Sequence, residues 1–142
     1  MKKSNPLKES FNSRTRGWLK IIAIDEHGVR NTLVDQKNTI LANARDIVAR
    51  LLAGEVDAKL DVIECYKAGA QLASSSTTAT YVTTDTVQFL ATFPPGSFSD
   101  TVDEVRLSSG ARGTFSQVTG LSANKTLQMG LAVEWTLSIN AI

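Results

Sequence analysis

Few side chains in this sequence can move a proton or hold a metal, and their spacing suits neither task. The single histidine, His27, sits in a Glu26-His27-Gly28 run that reads as a turn. A general base must be held beside a partner group, and an exposed turn does not provide that. The single cysteine, Cys65, falls in an apolar, strand-like run, so it has no partner for an intrachain disulfide and no neighbouring thiol for a metal site. It reads as a buried, inert thiol. Neither a Gly-x-Ser-x-Gly elbow nor a Cys/His pairing is present, and no glycine-rich loop is built to cradle phosphate. Asp100, Asp103 and Glu104 lie close enough in sequence to suggest a calcium or magnesium site, but the loop that would present them as ligands is missing. They read as a solvated acidic strand edge. The expectation is a protein with no catalytic residue, no cofactor and no metal, that is, not an enzyme.

The charge pattern points instead to binding. The formal net charge is +1, yet Lys2, Lys3, Lys8, Arg14 and Arg16 crowd the first segment with only Glu9 against them, leaving the remainder slightly acidic. Residues 1–17 show neither helical nor strand periodicity and read as an extended N-terminal arm. Lys3, Leu7, Lys8, Phe11, Arg14 and Arg16 are its expected interface residues. Leu7 and Phe11 would dock on a neighbouring subunit, and the cations would pair with acidic surface. Five basic residues are thin support for phosphate binding, so no nucleic-acid partner is expected.

The elements that must carry such a surface are mostly strands. Hydrophobic residues make up 42% of the 142 and charged residues 20%, a composition that supports one globular domain, placed at 18–142. Trp18 to Asp25 and Val29 to Val34, joined through the His27 turn, read as a hairpin. One helix is expected at about 42–53, because Leu41, Ala44, Ile47, Val48, Leu51 and Leu52 recur at helical spacing. Asn43 is placed to cap it, Asp46 to reach back to that cap, and Gly54 to end it in a left-handed turn. Further strands are expected at Leu60 to Tyr66, Tyr81 to Phe93 and Val102 to Leu107, with a turn forced by Pro94-Pro95-Gly96. The Ala, Ser and Thr residues from Ala68 to Ala79 read as a loop.

The clearest periodicity is at the C-terminus. Leu127, Met129, Leu131, Val133, Trp135, Leu137 and Ile139 alternate with mostly polar residues, which makes a strand of roughly 40 Å or more at about 3.3 Å per residue. The whole predicts a mainly β protein: an antiparallel β-sandwich of about six or seven strands with one short helix and the N-terminal arm. Apolar runs are too short to cross a bilayer and no signal-peptide core is visible, so a soluble protein made in the cytoplasm, without a membrane partner, is expected.

Two segments carry a resemblance. Asn38-Thr39-Ile40-Leu41-Ala42-Asn43-Ala44-Arg45-Asp46 followed by Ala49-Arg50-Leu51-Leu52-Ala53-Gly54, and the closing Lys125 to Ile139 with Glu134-Trp135-Thr136-Leu137-Ser138-Ile139, resemble small virion proteins encoded among the tail and appendage genes of tailed bacteriophages. Ala91-Thr92-Phe93 and Val102-Asp103-Glu104-Val105 fall where that family has similar strands. The glycine that the family carries before Arg45 is absent. The resemblance covers roughly residues 28–142 and leaves the arm aside. It implies a structural component of the tail, neck or baseplate region that associates with copies of itself and with neighbouring virion proteins, localised to the virion. Two alternatives are a capsid decoration protein and a carbohydrate-binding sandwich at a fibre tip. The last needs exposed aromatics, for which Trp18, Tyr66 and Tyr81 are the candidates, although Trp18 and Tyr66 read as core.

Overall fold

The computed structural model describes residues 15–139. Among them, twelve strands form two five-stranded antiparallel sheets and one two-stranded ribbon. The first sheet contains β1 (Thr15–Ile24), β2 (Arg30–Lys37), β6 (Thr78–Thr83), β7 (Thr86–Phe93) and β12 (Gly130–Ile139), in the order β2-β1-β12-β7-β6. The second contains β3 (Thr39–Ile40), β4 (Val62–Lys67), β5 (Ala70–Ser76), β9 (Glu104–Ser109) and β10 (Gly113–Val118), in the order β3-β10-β9-β4-β5. β8 (Asp100–Val102) and β11 (Ala123–Lys125) pair as the ribbon.

The sandwich is as expected, as is one α-helix among the described residues, which a short 3-10 turn at Val56–Ala58 follows, and the strand count is higher. Alternation places Leu131, Val133, Trp135 and Leu137 of β12 in the core, where they meet Leu19, Ile21 and Ala23 of β1 and Phe89, Ala91 and Phe93 of β7. The second sheet supplies Ile63, Cys65, Val105, Leu107 and Phe115. Each sheet thus buries one face against the other, which is what period-two sequences require.

Several boundaries depart from the sequence reading, each for a physical reason. β1 begins at Thr15, so Arg16 and Gly17 are strand residues paired with Ser138 and Leu137 and not part of an arm. The Ala68–Ala79 stretch is no loop: after a turn through Ala68 and Gly69, β5 and β6 add to opposite sheets, changing over at Thr77. Small side chains hide the strand periodicity there because these edge strands bury little. Tyr81 to Phe93 is two strands folded back at Thr84 and Asp85. The Val102 to Leu107 run breaks at Asp103, whose N–H donates to the Tyr66 carbonyl while its own carbonyl accepts from Leu121. The last strand starts at Gly130, where a Cβ would press on the Phe93 carbonyl and Pro95, so it spans roughly 33 Å and Leu127 is left exposed.

The helix α1 runs Asn43–Leu52. Asn43 does not cap it. Ala42 is the N-cap and provides no side-chain hydrogen bond. Asn43 turns outward, its Nδ2 donating to the carbonyls of Arg112 (2.9 Å) and Thr114 (3.2 Å), and so fastens the helix to β10. Asp46 pairs with Arg50 one turn on, at 2.9 Å, and not with the cap. The C-terminus closes as expected: Gly54 has φ +87°, its N–H donates to the Leu51 carbonyl, and that of Glu55 to the Arg50 carbonyl. Ala44 and Ile47 are buried and Val48 packs partly against the core, whereas Leu51 and Leu52 are exposed.

Candidate interaction surface

The polar groups that sequence singled out are each held by separate partners. Asp25 accepts the backbone N–H groups of His27 and Val29, so His27 is the exposed tip of a tight turn. Cys65 is buried, and burial pushes its thiol up to about 12, well above a nucleophilic value. The three acidic residues do not converge on one site: Asp100 and Asp103 lie partly solvated at the strand ends as expected, and Glu104 is more covered. Asp100 pairs with Lys67 at 2.7 Å, Asp103 accepts the Ala68 N–H, and Glu104 pairs with Arg106. The Lys67 ammonium is the main reason that the Asp100 carboxyl titrates below the usual range, helped by the Thr101 N–H. Among the described residues, no three His, Cys, Asp or Glu side chains are grouped to hold a metal.

A half-buried polar strip crosses the outside of the second sheet. Ser108 donates to Glu64 at 2.6 Å, Tyr66 donates to Glu64 at 3.3 Å, and the Arg106 guanidinium stacks 4.0 Å above the Tyr66 ring. A serine beside a carboxylate resembles part of a nucleophile–base pair, but Ser108 is 3% exposed and no substrate reaches its hydroxyl. Lys125 is likewise internal: its ammonium donates to the carbonyls of Phe98 (2.8 Å) and Thr126 (3.0 Å) and lies 4.9 Å from the Phe98 ring. Burial lowers its pKa. Sequence reasoning missed it, because a lysine in a polar-looking stretch carries no signal of burial.

Concavity is concentrated where β1 begins. Arg16, Trp18, Lys37, Thr136 and Ser138 line a groove of about 670 Å³ over the outward side chains of β1 and β12, beside the edge strand β2. Thr15 separates it from an apolar groove of about 340 Å³ formed by Ile40, Leu41, Ala44, Val48 and Phe115, with Arg45 at its rim. A third hollow of about 280 Å³, between Tyr81, Val87 and Ile139, lies at the same end, since Ile139 pairs with Thr15. The geometry here depends on Gly17, where any Cβ would overlap the Asn38 side chain. Asn38 in turn donates to the Ser116 hydroxyl and ties the two sheets together.

Trp18 is the main surprise on this surface. It points away from the core and is 43% exposed, because the strand's alternation sends Leu19 and Ile21 inward instead. Its indole N–H donates to Asp35 on the neighbouring strand, which fixes the ring at the groove wall. Tyr66 is half-buried, not core, and Tyr81 is exposed. Of the expected interface residues, Arg16 is present, exposed and on the groove, whereas Lys3, Leu7, Lys8, Phe11 and Arg14 lie outside the described residues. Comparison with protein-family models, with curated proteins and with solved structures gives no match. Among the described residues, no helix is long and apolar enough to cross a membrane.

Proposed function

We propose that this protein is a structural subunit of a tailed-bacteriophage virion, in the tail, neck or baseplate region, and that it acts by binding copies of itself and neighbouring virion proteins without catalysing a reaction. The observation that carries the binding part is the gathering of three grooves around Thr15, the residue to which the basic segment 1–14 is joined. The groove lined by Leu41, Val48 and Phe115 suits apolar side chains such as Leu7 and Phe11, which supports docking. The virion part rests on the resemblance of residues 38–54 and 125–139. The Asn43 clamp onto β10 offers a physical reason for an asparagine in that motif.

The test is a chain that begins at Thr15, keeping β1 whole. It should retain its β-rich circular dichroism and cooperative melt, yet fail to join the particle in an incorporation assay read by sedimentation or cryo-imaging. Normal occupancy of the truncated chain would overturn the tethering role of the segment. Raising salt from 0.1 M to 1 M shortens the Debye length from about 10 Å to about 3 Å, so incorporation that depends on the cations should weaken over that range.

The exposed Trp18 favours a second reading, a carbohydrate-binding sandwich. An aromatic ring beside the Thr136 and Ser138 hydroxyls, with Arg16 and Lys37 close by, is a suitable platform for a sugar, anionic ones in particular. Quenching of Trp18 fluorescence by a saccharide, lost in Trp18→Ala, would favour this reading over the structural one.

A further inference from the structure

The two sides of the sandwich differ sharply in charge. On one side the edges are β2, which carries Arg30, Asp35 and Lys37, and β3, only two residues long. Charge and shortness are the usual means by which an edge strand avoids pairing with another chain. On the other side the edges are β5 and β6, and residues 68–84, which span both, contain no Asp, Glu, Lys, Arg, His or Pro. All six residues of β6 are exposed, with Tyr81 at 72% and Val82 at 52%. The strand therefore presents a row of unpaired backbone donors and acceptors with no charge or proline on it, interrupted by a bulge between Tyr81 and Thr83, beside a hollow shared with Asp85 and Ile139.

We propose that β6 pairs antiparallel with β6 of a second copy of this chain, joining the two first sheets into one ten-stranded sheet across a twofold axis. This deepens the self-association proposed above by naming its surface. Charge selects the occupant. A partner strand such as β2 of another copy would bring Arg30, Asp35 and Lys37 against an edge that offers no countercharge, whereas β6 against β6 desolvates no charge at all. An isologous contact also consumes both open edges and closes the assembly, where head-to-tail pairing would continue into a filament. Because β5 and β6 are joined at Thr77, the same axis brings the neutral β5 edges of the second sheets to face each other.

In the twofold register that places the exposed Thr80 on the axis, Thr78 to Val82 run antiparallel to the same residues of the partner and Thr80 meets its own copy. The purified full-length chain should sediment as a dimer. Thr80→Lys and Thr80→Glu should each weaken dimerisation at least tenfold at low salt and less at high salt, since like charges then meet across the axis. Mixing the two variants should restore the dimer, because lysine meets glutamate. If Thr80 changes disturb folding, as judged by circular dichroism, Thr78→Lys mixed with Val82→Glu serves in their place, since these two positions face each other across the axis when Thr80 lies on it and both are exposed. A monomeric parent would overturn the proposal, as would variants that stay dimeric or a mixture that fails to recover. None of these outcomes touches the particle-incorporation assay, which decides the virion reading separately.

Discussion

Replacing Trp135 tests both the strand assignment and a defect in the core. The side chain is fully buried on β12, between Leu19 of β1 and Phe89 of β7 in register, yet its indole N–H has no hydrogen-bond partner. Two effects therefore oppose each other. Truncating a buried tryptophan to alanine typically costs about 3–5 kcal/mol through lost transfer energy and the cavity left behind. Removing an unsatisfied buried donor returns about 1–3 kcal/mol. Trp135→Ala should consequently cost about 2 kcal/mol, or a drop of roughly 6 °C in melting temperature for a domain of this size. Trp135→Phe leaves a cavity of roughly 40 Å³, worth about 1 kcal/mol, and removes the same donor, so it should lie within about 1 kcal/mol of the parent in either direction. Urea denaturation of the three proteins, compared at constant m-value, gives the numbers. An alanine variant within about 0.5 kcal/mol of the parent would refute the inward orientation of β12. A phenylalanine variant as damaging as alanine would refute the unsatisfied donor.

Other changes probe particular contacts. Gly17→Ala forces a Cβ into the Asn38 side chain and should destabilise by about 1–3 kcal/mol, measured by urea midpoint, while a second change, Asn38→Gly, should relieve most of the added strain. Lys125 is charged against burial: the penalty is complete below its lowered folded-state pKa and vanishes above the ordinary lysine value of 10.5. The parent should therefore gain stability relative to Lys125→Met as pH rises through that window, and a flat or opposite trend in paired melts would contradict the burial. Cys65 should resist alkylation at pH 8 in the native protein and react at the rate of unfolding, because its thiol is held near 12. Rapid native labelling, followed by mass spectrometry, would show it to be accessible.

The sequence by itself determined the class of fold. Alternation at Leu131, Val133, Trp135 and Leu137, and at Phe89, Ala91 and Phe93, is strong because these central strands bury one whole face, and the helix shows through Ala44, Ile47 and the Gly54 stop for the same reason. It also placed His27 in an exposed turn and Cys65 in a buried strand, which is where the structure has them. The tertiary structure alone decided everything that depends on which edge or end is covered. β5 and the start of β6 bury so little that composition carried no strand signal there, and they pair as strands against the ladders that β4 and β7 offer. Trp18 looked like core by residue type but is exposed by parity, since a strand can send only every second residue inward and Leu19 and Ile21 occupy the inner face. Asn43 had the right spacing for a cap, but the carbonyls of Arg112 and Thr114, about seventy residues away in sequence, are where its amide goes. Lys125 is hidden because strand pairing and Phe98 close over it, a contact between segments that no local pattern records.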